Sequence, residues 1–308
     1  MTAREGGAAA PAGGGRGCPA AGAGAARGTR TVDAHHHVWD LSVRDQAWLG
    51  ADGFAPLRRS FGTDDLAAEA AASGVDATVV VQTVAAADET PELLALAEAD
   101  ALVAGVVGWT DLTSPGVADA LGGLRGLPGG EHLVGVRHQV QGEPDPRWLL
   151  RPDVARGMRA LAAAGLVHDL VVLPHQLPAA VEAAAAHPGL VFVLDHLGKP
   201  PVAEGRTEPW AGHVRRLAAL PNTVCKLSGL VTEARWDGWT VEDLRPYADT
   251  VLEAFGPRRL MFGSDWPVCL LAASYGQVVD AARELTASLS PAERAEVFGG
   301  TAARVYGI

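Results

Sequence analysis

The sequence predicts an α/β fold, a single (β/α)8 TIM barrel, on three observations. Eight short β-branched runs recur along the chain, and an Ala/Leu-rich segment of helical period follows nearly every one. No glycine-rich GxGxxG follows the first run, which argues against a dinucleotide-binding open sheet. The length of 308 residues suits one barrel of roughly 250 residues with an extension.

The elements follow in order. The expected strands are residues 31–37 (TVDAHHH), 77–82 (ATVVVQ), 103–109 (VAGVVGW) and 134–138 (VGVRH), then 170–173 (LVVL), 190–195 (LVFVLD), 223–228 (TVCKLS) and 260–264 (LMFGS). The first helix is placed at 63–73, with Thr63 as N-cap, Asp64 and Asp65 in the first turn and Gly74 closing it. The second spans 90–101, with Pro91 at its start. Others are expected at 116–127, 154–164, 177–187, 210–220, 241–255 and 274–285. Residues 1–30 are almost wholly Gly, Ala, Pro and Arg and lack the apolar core of a secretory signal, so they are expected to form a disordered extension. Residues 31–308 form the barrel domain.

Composition narrows the function classes. An apolar fraction of 48% supports a large core, and a net charge of −11 excludes a nucleic-acid partner. No apolar stretch is long enough for a membrane span. Cys18, Cys225 and Cys269 are scattered and lack CxxC spacing, which fits neither a disulfide framework nor a zinc finger and places the protein in a reducing cytoplasm. The expected partner is a small molecule, with assembly into a homo-oligomer left open.

In such barrels the chemistry sits at the C-terminal ends of the strands. Strand alternation puts Asp33, His35 and His37 on one face, and imidazoles at i and i+2 suit chelation of one divalent cation. Asp33 is expected to accept a ring N–H from one of them. The alternative for the three histidines is a surface cluster. His175 and His196 follow strands five and six, and Asp265 lies between Gly263 and Pro267 after strand eight. A carboxylate there serves as metal ligand or general base, or else caps a helix. Arg137 and His138 end strand four, with Gln141, Glu143 and Asp145 in the next loop. Arg137 suits an oxyanion or a carboxylate, through substrate or through an ion pair. Lys226 in an apolar strand needs a polar partner, either substrate or a barrel acid. Of the tryptophans near strand ends, Trp39 is carried as a substrate contact, while core packing accounts for most.

Together the segments DAHHHVWDL, GVRHQVQGEPDPRWLL, LPHQLP, LDHLGKP, CKLSGL and GSDWPV, in this order, resemble the amidohydrolase superfamily over residues 31–308. The likeness is to its branch of sugar lactonases and 2-pyrone-4,6-dicarboxylate lactonase. It implies that the HxH pair is His35 and His37, joined by His196 and by Asp265, which activates the attacking water. Metal ligation is then expected from His35, His37 and Asp265, and catalysis from Asp265 and His196, with Arg137 added as an oxyanion donor from its place at the barrel mouth. Substrate contacts are then assigned to His138, His175, Lys226, Trp39 and Glu143. The reaction implied is water attack on a sugar-derived (L-fucono-lactone-like) or dicarboxylate lactone. Binuclear relatives carry a carboxylated lysine after strand four, where this chain has Arg137-His138. The expectation is therefore one divalent ion, Zn²⁺ first, with a metal-independent reaction as the alternative. Other readings are a zinc-dependent decarboxylase, an amide or imide hydrolase, and a catalytically silent binding barrel.

Overall fold

The computed structural model describes residues 30–308, so the expected N-terminal extension lies outside the described residues apart from Arg30. Eight parallel strands pair in chain order: β1 (Val32–His36), β2 (Ala77–Val81), β3 (Val103–Gly108), β4 (Leu133–His138), β5 (Val167–Leu170), β6 (Phe192–Leu194), β7 (Thr223–Leu227) and β8 (Leu260–Phe262). The ring closes just beyond β8, where Asp265 N donates to His35 O (2.8 Å) and His37 N donates to Trp266 O (2.7 Å).

The helices between strands are α1 (Thr63–Ala72), α2 (Glu89–Ala99), α3 (Val117–Arg125), α4 (Pro152–Ala163), α5 (Leu177–Ala186) and α6 (Trp210–Ala218). After β7 come a short α7 (Leu230–Glu233) and α8 (Val241–Phe255), and after β8 come α9 (Tyr275–Leu285), α10 (Pro291–Ala295) and α11 (Thr301–Tyr306). Local chemistry starts many of them. Thr240 and Asp243 cap α8 reciprocally, as Ser274 and Gln277 cap α9. Gly62, rather than the expected Thr63, is the N-cap of α1, because the Asp65 carboxylate reaches back to Gly62 N at 3.0 Å.

Apolar side chains fill two layers. Val32, Ala34, Ala77, Val79, Val81, Val107 and Met261 pack inside the barrel, where Ala302 and Tyr306 of α11 join them. The larger cluster lies between strands and helices and includes Leu66, Leu94, Met158, Phe192, Trp210 and Tyr247. Among the described residues no helix is long and apolar enough to cross a membrane.

One strand departs from the sequence reading. β5 is Val167–Leu170 rather than 170–173. Its His168 and Asp169 look like loop residues, but both are fully buried with partners. The Asp169 carboxylate faces Lys226 and Tyr306, and the His168 ring Nδ1 meets Val136 O at 3.0 Å.

Candidate active site

The site begins with an irregularity in β1. Asp33 pairs with Thr78 and His36 with Val80, so Ala34 and His35 together stand opposite Val79. This bulge breaks simple alternation and turns His35 and His37 into the barrel while Asp33 faces out. Asp33 therefore takes no imidazole N–H, contrary to expectation. It accepts instead from Ser264 N (2.8 Å), Ser264 Oγ (2.6 Å), Tyr275 OH (3.2 Å) and His35 N (3.1 Å). Burial raises its carboxyl to about 6 despite those bonds. Asp33 thus ties β1 to the segment that carries Asp265.

That segment and the one after β6 use left-handed backbone. Asp265 has φ 58°, and His196, Leu197 and Lys199 have φ between 51° and 55°. Such conformations cost about 1 kcal/mol or more at non-glycine residues, so the surroundings must hold them. Gly229 makes room for His196, since a Cβ there would lie 2.6 Å from His196 Nδ1. Gly263 does the same for His35, whose Cβ would be 2.7 Å away.

Four side chains converge as a result. Asp265 Oδ1 lies 3.6 Å from His37 Nε2, 3.8 Å from His35 Nε2 and 3.8 Å from His196 Nε2. The Nε2 atoms of His35 and His37 are 3.2 Å apart. His37 Nδ1 faces Val81 O at 2.7 Å, so Nδ1 carries the hydrogen and Nε2 presents a lone pair. His196 Nδ1 bonds Ser228 Oγ at 2.9 Å.

Burial lowers the imidazole of His196 to about 4 and, with Lys226 alongside, that of His35 well below its ordinary value. Burial opposes ionisation of Asp265, but His196, His37 and His35 outweigh it and hold the carboxylate far below its usual range. At neutral pH lone pairs thus face one another across the site. This donor set fits a divalent cation. Ligand atoms of His35, His196 and Asp265 all lie within 4.8 Å of one another, a grouping that takes in His196 and leaves out His37 of the expected ligands His35, His37 and Asp265.

The site opens into a cleft of about 360 Å³. Its walls include His37, His196, Asp265, Arg137, Trp48, Phe54, Gln139, Gln141 and Lys199. Arg137 is buried, with Nη1 on Asp195 Oδ2 (3.0 Å) and Nη2 on Gln82 O (2.5 Å). The ion pair expected for it is made with an interior carboxylate, Asp195. Lys199 pairs with Glu233 at 2.9 Å.

Several expected substrate contacts lie elsewhere. His138 and Glu143 bind each other at 2.7 Å, and His138 stacks on Trp148 with ring centroids 4.1 Å apart, so neither is among the residues lining the cleft. His175 is exposed on a turn after β5, because the strand ends three residues earlier than the sequence suggested. Trp39 is packed behind the cleft against Trp48 and Phe61, its indole N–H on Arg59 O. Lys226 is fully buried beneath His35, between Asp169 (2.5 Å) and Asp195 (3.1 Å), with no path to a substrate.

Asp195 is the residue that the sequence reading passed over. Its Oδ1 lies 3.4 Å from His35 Nδ1, so it holds the place assigned to Asp33. The signal was present in LDHLGKP, where a carboxylate ends an apolar strand just before His196. Gln139, Phe54 and Lys199 gave no signal of their own, since loop positions carry no periodicity.

Comparison with known proteins agrees with the geometry. The chain matches the amidohydrolase family profile over residues 32–308. It is 44% identical over 292 residues to an L-fucono-1,5-lactonase of Burkholderia multivorans, covering 91% of this chain and 97% of that protein. An L-fucono-1,5-lactonase of Burkholderia ambifaria is 39% identical over 286 residues, covering 91% and 96% respectively. A crystal structure of a Burkholderia multivorans amidohydrolase with bound zinc superposes with a TM-score of 0.85 at 44% identity, over 91% of this chain and 99% of that one. Matched by the profile over its whole barrel, and by these relatives over nearly their full lengths, the chain belongs to the amidohydrolase family.

Proposed function

We propose that the protein is a lactonase that opens a sugar-derived lactone by water attack, using one divalent metal ion, with Zn²⁺ as the preferred ion. One observation carries this reading: an ionised Asp265 meets the Nε2 atoms of His35, His37 and His196, and Asp265, His37 and His196 line the cleft. Two relatives at 44% and 39% identity bear lactonase names, which favours hydrolysis over decarboxylation.

His35, His196 and Asp265 would hold the ion, with His37 beside them. When bound, a divalent cation polarises a carbonyl and makes water acidic near neutral pH. Asp265 takes the proton of the attacking water as the new C–O bond forms at the carbonyl carbon. The charge of Arg137 at the cleft wall supports the oxyanion electrostatically, since both terminal nitrogens already serve Asp195 and Gln82. As the intermediate collapses, Asp265 returns the proton to the ring oxygen. The ring C–O bond breaks and a hydroxy acid leaves.

The walls favour a neutral sugar ring over a dicarboxylate. Both cations lining the cleft are already paired, Arg137 with Asp195 and Lys199 with Glu233, so neither is free to neutralise two substrate carboxylates. Gln139, Gln141 and Lys199 supply polar atoms for hydroxyls, and Trp48 and Phe54 offer flat apolar surface. Cys225 and Cys269 are buried and unpaired, in keeping with a reducing cytoplasm. The test is a pH-indicator screen of aldonolactones and dicarboxylate lactones with metal content measured on the same sample. Sugar-lactone turnover is expected, and CO2 release from aromatic acids with no lactone opening would select the decarboxylase instead.

A further inference from the structure

Beneath the site the barrel holds four buried charges: Arg137, Lys226, Asp169 and Asp195. Arg137 Nη1 donates to Asp195 Oδ2 at 3.0 Å, and Lys226 Nζ donates to Asp169 Oδ2 at 2.5 Å. Tyr306 OH, reaching in from α11, donates to the same Asp169 oxygen at 2.9 Å. Two cations and two carboxylates balance. Apolar packing of the same volume is often as stable as buried ion pairs, so stability alone does not account for the cluster.

One atom in it is unsatisfied. Asp195 Oδ1 is buried and receives no well-aligned hydrogen bond, although Lys226 Nζ is 3.1 Å away and His35 Nδ1 is 3.4 Å away. His35 Nδ1 is contested in turn, because Lys226 Nζ also lies 3.2 Å from it. Asp195 requires a hydrogen on Nδ1, whereas Lys226 requires a lone pair there.

The other ring nitrogen bears on the choice, because metal ligation needs a lone pair there. Arg137 Nη1 lies 3.3 Å from His35 Nε2 and has only hydrogens to offer. A hydrogen on Nε2 would have His37 Nε2 as acceptor at 3.2 Å, but it would face the N–H of Arg137 and leave Asp195 Oδ1 with no ring N–H beside it. A hydrogen on Nδ1 faces Asp195 Oδ1 at 3.4 Å, a charge contact rather than an aligned hydrogen bond, and lets Nε2 accept from Arg137. The Nε2 atoms of His35 and His37 are then both acceptors 3.2 Å apart, and a cation between them would take the place of the Arg137 N–H on His35.

We propose that Asp195 is a positioning residue that fixes His35 in the Nδ1–H form and so presents Nε2 to the metal, with Lys226 serving as its counter-charge. The proposal rests on the reading of His35 as a metal ligand given above. Its tests read zinc and the ring itself, without any lactone, so the two readings can fail separately.

In Asp195→Asn the amide oxygen stays on Arg137 and the NH2 turns to His35, which favours the opposite tautomer. Zinc affinity, measured by competition with a chromophoric chelator, is expected to fall 10- to 100-fold. The thermal midpoint falls too, because two cations then face one carboxylate. The double variant Asp195→Asn/Lys226→Met balances the net charge but leaves Asp169 without its cation, so its thermal midpoint should stay below wild type, and its zinc affinity should stay as low as in the single variant. Wild-type zinc affinity in either variant overturns the proposal. The metal-free wild-type protein, labelled with 15N at histidine, provides the reading that needs no variant. NMR should find the hydrogen of His35 on Nδ1, and finding it on Nε2 overturns the proposal.

Discussion

At the scale of single residues, the side chains that converge at the cleft announced themselves through spacing, whereas their partners did not. His35, His37, His196 and Asp265 each end a strand in a short recognisable segment, so their convergence was legible before any coordinates. The partners of Lys226 were hidden because its ion pairs cross the barrel and depend on the depth at which each strand sits. Asp265→Asn should leave the fold intact and lower kcat about 10²- to 10⁴-fold, the usual worth of a positioned base. Steady-state kinetics on a variant with a wild-type circular dichroism spectrum would check this. Lys226→Met alone should cost about 3–5 kcal/mol in urea unfolding, because it strands Asp169 and Asp195 without their cation. A loss under 1 kcal/mol would show that the cluster tolerates an unpaired carboxylate.

At the scale of elements, the helices were the easiest to read and the polar strand the hardest. The 3.6-residue pattern placed α1 to α6, α8 and α9 within a few residues of where they lie. β5 escaped because His168 and Asp169 break an apolar run, and only tertiary partners make them acceptable inside. The bulge in β1 was equally invisible, since an extra residue leaves no mark in a three-histidine stretch.

Two predictions belong here. Gly229→Ala puts a Cβ against His196 at φ 66°, so kcat should fall more than about tenfold, with a stability loss of about 1–2 kcal/mol. Kinetics and urea unfolding on one preparation test both halves. His168 is buried, and burial lowers its ring to about 4. The unfolded chain then binds a proton near pH 6.5 that the folded chain refuses. Stability from this residue is full above pH 6.5 and drains as pH falls toward 4, by about 3 kcal/mol in all. Urea midpoints at pH 7.5 and pH 5 should therefore differ less in His168→Gln than in the wild type. Equal differences would remove His168 as a source of acid sensitivity.

For the whole molecule, the barrel brings residues from both ends of the chain to one rim. The backbone bonds of Asp265 and Trp266 to β1 both close the ring and set Asp265 beside the histidines, so closure and site assembly are one event. The eight-strand order was readable from alternation alone. The α11 segment was not, although Tyr306 enters the interior and bonds Asp169, because short C-terminal helices carry too few turns for a periodic signal. The role proposed for this rim is hydrolysis of lactones. Its most direct measurement is the initial rate of opening of a neutral six-membered aldonolactone by zinc-loaded protein, followed with a pH indicator beside Asp265→Asn. Turnover should rise with bound zinc and collapse in the variant. A zinc-loaded wild type that leaves every sugar lactone intact, or a variant that opens them equally fast, would contradict it.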